Sequence, residues 1–192
     1  PRPVSVLWRR LDAARADPLE LNDASTLGTP GLVEAVRHGH VAIVNALGTG
    51  VLEIRALLAF LPRLCEVLRD EPLAIPNIAT WWCGGAAARD HVREHAGRMI
   101  ISPALSTRAP LETGAHDPAA GWLRCPADAP LAERLAIDGA LLIGQEAVTL
   151  STTPAYADGR LQPRPTTLRV FLARTRAGWK VMPGGYARIG RS

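Results

Sequence analysis

Lysine is almost absent: of the 22 basic residues only Lys180 is a lysine, and aromatic residues make up 5% of the chain. The arginines are spread along the sequence and the few aromatics are not interleaved with them, which argues against a nucleic-acid partner. Cysteine is confined to Cys65, Cys83 and Cys125, odd in number, far apart and without C-x-x-C spacing. That excludes a disulfide framework and a structural zinc site and predicts reduced thiols in a cytoplasmic protein. No apolar run approaches the ~20 residues of a membrane span, and no signal peptide is visible, so no membrane partner is expected.

What is there fits a folded protein. With 192 residues, 47% hydrophobic and 21% charged, the chain suffices for one substantial domain or part of a larger one. The net charge of +4 rests on arginine, the side chain suited to bidentate recognition of carboxylate and phosphate. A GC-rich coding bias that replaces lysine throughout accounts for the same composition. The sequence opens on Pro1 and enters a strand-like run at 4–8, which leads us to expect a piece of a longer polypeptide.

The organising stretch is 41–53. Its β-branched start reads as a buried strand, and Gly48-Thr49-Gly50 reads as a turn opening a helix. Strand, glycine turn and helix together build an anion site, because glycine permits close approach and helical N–H groups favour phosphate.

Before it, a strand over 3–8 ends in Arg9, Arg10 and Asp12, and Asp17-Pro18-Leu19-Glu20 follows as an acidic turn. Carboxylates this close need a positive partner, Mg²⁺ or an arginine, unless they form a solvated loop with weak surface pairs. Residues 29–39 predict a short helix capped by Thr29, with Pro30 at its first position and Gly39 as its stop. His38 and His40 then compensate the helix dipole.

A second helix is expected over 53–68, kinked or broken at Pro62, with Arg55 in its first turn. An extended segment over 72–80 leads to Trp81 and Trp82, which cannot share one face, so that one packs inward and the other meets a surface or ligand edge. A third helix is expected over 85–96 and a strand over 98–104. Residues 105–130 form an irregular loop, and a short helix is expected over 131–137. Residues 140–150 read as a strand whose apolar run is broken by Gln145 and Glu146, polar groups that need partners. Residues 154–165 read as turns, 166–173 and 179–182 as a hairpin, and 183–185 as a close-approach turn.

Taken together, several stretches resemble the bacterial circularly permuted ATP-grasp family of type 2, which includes glutathionylspermidine synthetase-like proteins. They are Arg10-x-Asp12, Asp17 to Glu20, Leu27-Gly28-x-Pro30-Gly31-Leu32, residues 41–53, residues 76–83 and Gly144-Gln145-Glu146. Leu150 to Pro154, Pro163-Arg164, Leu168-Arg169 and Val181 to Gly185 complete the series in the same order. The match spans nearly the whole chain except 105–130, and corresponds to the C-terminal portion of the family's longer ATP-grasp region.

The resemblance implies an α+β, ATP-grasp-like fold with mixed sheets and flanking helices, and ATP-dependent ligation of a carboxylate to an amine through an acylphosphate. It implies ATP and Mg²⁺ as cofactors, small-molecule or peptide carboxylate and amine substrates, and the rest of a longer chain as partner. It carries Arg10 and Arg55 over as catalytic cations at the phosphates. Asp12, Glu20 and Asn45 become metal ligands, and Gly48, Thr49 and Gly50 line the phosphates. Gln145 and Glu146 meet the adenine, and Arg164 and Arg169 are further anion contacts. Two features depart from the family: Ser102 stands where many members have a nucleotide-holding lysine, and 106–112 replaces a glycine-rich lid. These departures motivate the alternative of a non-catalytic ATP-grasp scaffold that binds or assembles.

Overall fold

Valine and isoleucine at 4, 6, 43 and 44 supply the β-branched character that makes two short strands. In the computed structural model, which describes residues 3–107 and 129–190, β1 (Val6–Trp8) and β2 (Ala42–Val44) pair in parallel, Val6 with Ala42 and Trp8 with Val44. The chain divides into two compact units, Pro1–Ala147 and Val148–Ser192. The expected loop over 105–130 falls largely outside the described residues.

Between β1 and β2 the backbone wraps a buried carboxylate. Asp17 is fully buried and accepts from the amides of Leu19 at 2.9 Å, Gly31 at 3.2 Å and Val33 at 2.9 Å. The last two belong to the start of α1 (Leu32–Arg37), so Asp17 caps this helix from a distant part of the chain, and the expectation of Thr29 as its cap is corrected. Thr29 instead donates its amide to the Ala16 carbonyl at 2.9 Å. Gly28 lies so close that a Cβ there would stand 2.6 Å from the Ala16 oxygen. Gly39 does end the helix in left-handed geometry, with φ of 70°.

Gly48 opens not an α-helix but a 3-10 turn over Thr49–Glu53. The α-helix, α2 (Arg55–Arg69), starts after the extended Ile54 and runs unbroken through Pro62. No break occurs there because an outside donor replaces the one that proline lacks.

The core of this first unit surrounds an antiparallel sheet ordered β3 (Thr80–Trp82), β5 (Leu142–Glu146), β4 (Met99–Pro103). One face packs Met99, Ile101 and Leu142 with Val92 of α3 (Ala86–Glu94) and with Leu131 and Leu135 of α4 (Ala129–Asp138). The other packs Ile143 with Ala56 and Ala104. Each large apolar side chain buried this way contributes about 1.5–3 kcal/mol. Strand alternation sends the neighbouring tryptophans apart, Trp81 onto the first cluster and Trp82 onto the second. Both therefore pack.

The second unit is an antiparallel meander of β6 (Thr152–Ala157), β7 (Arg160–Thr175) and β8 (Gly178–Ile189). The turns expected over 154–165 are in fact a hairpin, closed by Asp158 and Gly159 with φ of 51° and 77°, the sense of turn that matches strand twist. Prolines misled there because they are poor central-strand residues. β7 meets β6 only over 160–165 and β8 only from Thr166 onward, so Pro163 and Pro165 lie where β7 has a strand on one side only. Residues 183–185 likewise sit within β8, at the register shift opposite Val170 and Leu172, with Gly184 at φ of 125°. Among the described residues, parallel and antiparallel pairings thus fall in separate sheets rather than mixing within one.

Candidate functional site

The carboxyl ends of β1 and β2 open on the same side, because the strands are parallel, and ligands of α/β sheets commonly bind beyond such ends. The register sets the segment that follows β1, with Arg9, Arg10 and Asp12, and the segment that follows β2, with Asn45 and the 48–50 turn, at the same end of the pair, and of the first three residues Arg9 makes the contacts across it. The two segments are tied by the Arg9 amide donating to the Val44 carbonyl at 3.1 Å and by Asn45 Nδ2 donating to the Arg9 carbonyl at 3.1 Å. Asn45 holds φ of 62° to make this contact, a left-handed conformation that asparagine tolerates better than most residues.

Arg9 is the side chain that sequence reasoning passed over in favour of Arg10. Its Nε donates to the Asn45 carbonyl at 2.8 Å, its Nη2 to the Ala46 carbonyl and Thr49 hydroxyl at 3.1 Å each, and its Nη1 to the Leu11 carbonyl. Arg10 lies instead over the ring of Trp8, 5.9 Å from its centroid, and Trp8 is 67% exposed. Period-two alternation held the clue. Arg10 shares a face with the exposed Trp8, and Arg9 shares one with the half-buried Leu7.

Each of the three expected metal ligands, Asp12, Glu20 and Asn45, has a contact within the protein. Asp12 caps the short turn Ala13–Arg15 by accepting from the Ala14 amide at 3.1 Å. Glu20 pairs with Arg37 at 2.6 Å, and the Asn45 amide is engaged by Arg9. Among the described residues, no three His, Cys, Asp or Glu side chains come together as a metal ligand set.

Arg55 begins α2 and is 2% exposed, and burial lowers its pKa from the ordinary 12.5. Its amide donates to the Ser106 carbonyl at 3.2 Å and that of Ala56 to the Ala104 carbonyl at 2.9 Å. These first-turn donors are thus spent on the backbone rather than presented to a ligand. Ser102 is buried on the face that α2 covers, opposite Ile143. Gln145 is buried too and donates to the Thr80 hydroxyl at 3.0 Å, while Glu146 is exposed at the strand end. In the second unit, Arg164 and Arg169 occupy even and odd positions of β7 before its irregularity, so they point to opposite faces. Arg164 accordingly meets Gln162 Oε1 at 3.0 Å, and Arg169 stands opposite Tyr186.

The family model described as circularly permuted ATP-grasp type 2 matches residues 1–190. The chain belongs to that family. An uncharacterized protein of Mycobacterium tuberculosis is 35% identical over 186 residues, 97% of this chain and 20% of the relative. An uncharacterized protein of Synechocystis is 31% identical over 188 residues, 97% of this chain and 38% of the relative. A second mycobacterial protein, also uncharacterized, is 30% identical over 189 residues and matched over 33% of its length. The chain therefore spans between a fifth and two fifths of the length of these relatives. No helix among the described residues is long and apolar enough to cross a membrane.

Proposed function

We propose that the chain contributes the nucleotide-facing part of an ATP-dependent carboxylate–amine ligase, with the carboxyl edge of β1 and β2 as its anion-contacting surface. The observation that carries this reading is the family match over residues 1–190, and the parallel pairing of β1 and β2, after which the segments bearing Arg10, Asp12 and the 48–50 turn follow, supports the choice of edge. In such a ligase a substrate carboxylate would take the γ-phosphoryl group of ATP to give an acylphosphate and ADP, and an amine would then form the amide by displacing phosphate. This chain's own part is positioning and charge. Arg10 offers a cation to an anionic group at the edge, and Arg55 holds the start of α2 against the 104–106 backbone. Electrostatic stabilisation of this kind is commonly the largest catalytic term in phosphoryl chemistry. In the same reading Gln145 and Glu146 serve the base, and Arg164 and Arg169 are anion contacts on separate faces.

A second reading, a non-catalytic ATP-grasp scaffold, is favoured by the commitment of Asp12, Glu20 and Asn45 to the protein itself. Titration of Mg·ATP into the purified chain, followed by heat and melting temperature, separates the two. Stabilisation that grows with ligand and is lost in Arg10→Ala supports the ligase reading. An intact chain that shows no shift at millimolar Mg·ATP sinks it for this chain.

A further inference from the structure

We propose that the two adjacent arginines divide the work of this edge: Arg9 is a positioning residue that fixes the 45–49 turn, and Arg10 is the cation presented to the ligand. The division rests on the nucleotide reading above for Arg10, whereas the role of Arg9 is carried by its own contacts.

The guanidinium of Arg9 spans the turn. Its nitrogens reach the carbonyls of Leu11, Asn45 and Ala46 and the hydroxyl of Thr49. Thr49 in turn donates to the Ala46 carbonyl at 2.9 Å, and the Thr49 amide reaches the same carbonyl at 3.2 Å. A planar fork with five donors can hold acceptors in several directions at once, and an ammonium on a flexible stem cannot. All four acceptors are neutral oxygens, so Arg9 keeps its positive charge at the edge while its donors are occupied. It therefore favours an anion there without touching it. Arg10 has the opposite situation, since the face of Trp8 supports its guanidinium from one side and leaves its donors to be directed at an anion.

Holding the turn matters because Asn45 and Gly48 both adopt left-handed backbone, with φ of 62° and 94°. Once the guanidinium is removed, left-handed Asn45 and the conformationally free Gly48 lose their outside support, and the turn samples other conformations. A ligand must then restore order at its own expense, which lowers its affinity.

The test compares Arg9→Lys, Arg10→Lys and Arg10→Ala by amide hydrogen exchange on the ligand-free chain and by Mg·ATP titration, at a temperature where each variant is folded. Arg9→Lys keeps the charge, so its expected result is faster exchange of the 46–51 amides and about tenfold weaker Mg·ATP binding. Arg10→Lys should retain both properties. Arg10→Ala should leave exchange at 46–51 unchanged, weaken binding and flatten its dependence on salt.

Wild-type exchange in Arg9→Lys would overturn the positioning role, as would Arg9→Lys binding as tightly as the unchanged chain. If Arg9→Lys fails to fold, Thr49→Val removes one of its acceptors at constant shape and must still speed exchange at 46–51, or the proposal falls. Absence of Mg·ATP binding by the unchanged chain would defeat the nucleotide reading and with it the role of Arg10. The exchange comparison would then decide Arg9 alone.

Discussion

The side-chain amide of Asn77 donates to the Leu58 carbonyl at 2.8 Å, and Leu58 is the residue four positions before Pro62. Proline has no N–H to offer that carbonyl, which is why proline inside a helix usually breaks it. Here a side chain from the segment after the helix supplies the missing donor, and α2 continues for 15 residues. Asn77→Ala should therefore lower stability by about 1–2 kcal/mol, the range for stranding a partly buried carbonyl. In Pro62→Ala the helix recovers its own donor, so the same Asn77 substitution should cost less. Chemical denaturation of the four proteins of this cycle checks the relationship, and equal costs in both backgrounds would mean that Asn77 acts elsewhere.

Asp17 gives the fold a dependence on acid. Its pKa is lowered from the ordinary 3.8, first by the Val33 amide and further by those of Leu19 and Gly31, with burial opposing them. Because the folded value lies below the unfolded one, its contribution is fully present above about pH 4 and is lost as the pH falls through the depressed value. Asp17→Asn should lower the melting temperature at pH 7, and the deficit should shrink as both proteins are melted at pH values progressively below the ordinary 3.8. A deficit that stays constant over this range would assign the loss to packing rather than charge.

The contrast between these two carboxyl and amide side chains shows what was legible in the sequence. α1 could be placed from Pro30 and Gly39, since its stop is a local backbone preference. Its cap could not, because the partner of Gly31 and Val33 is 14 and 16 residues away. The helix through Pro62 was misjudged for the same reason: the compensating donor lies 19 residues from Leu58. Family membership was readable from ordered motifs, yet several of those motif residues hold the fold. Gly28 admits the Ala16 carbonyl, and Gly144 admits Val92. Arg10 and Asn45 were named from the family resemblance, whereas the contacts of Arg9 require knowing that the second strand lies parallel beside the first.

Close approach at Gly144 leads to a packing prediction. A Cβ there would stand 2.5 Å from Val92 Cγ2 and 2.9 Å from Cγ1, in the middle of β5 with Val92 itself fully buried. Gly144→Ala should cost about 1–3 kcal/mol through overpacking. Adding Val92→Ala should return part of that loss, since it removes the two methyl groups that collide. Urea unfolding of the single and double variants measures this, and strict additivity would place the strain in the backbone instead.

Burial should make Cys83 the slow thiol. It is fully buried in the sheet core, and desolvation raises its pKa to about 11 against the opposing Gly144 amide and Arg89 charge. The thiolate is the reactive form, so a maleimide-free disulfide reagent at pH 8 should modify the half-exposed Cys65 well before Cys83. With the folded value above the ordinary 9.0, stability should also fall as the pH rises from about 9 towards 11. Peptide mapping after brief native labelling distinguishes the sites. Early modification of Cys83 would show that the sheet opens under native conditions.

Glu20 offers a direct way to decide between a metal ligand and a surface pair. Its oxygen lies 2.6 Å from Arg37, whose side chain is 65% exposed, and such exposed pairs are worth at most about 1 kcal/mol. Glu20→Gln should accordingly change stability by less than that, and the effect should fade further in high salt. If Glu20 serves only Arg37, the Mg²⁺ concentration needed for half-maximal ATP binding should be the same in Glu20→Gln as in the unchanged chain. A carboxylate that ligates the ion would behave otherwise, because removing a charged ligand weakens the metal and leaves the protein's melting temperature nearly untouched. A several-fold rise in the required Mg²⁺ at constant stability would return Glu20 to the site and show that the Arg37 pair yields to the metal when nucleotide is bound.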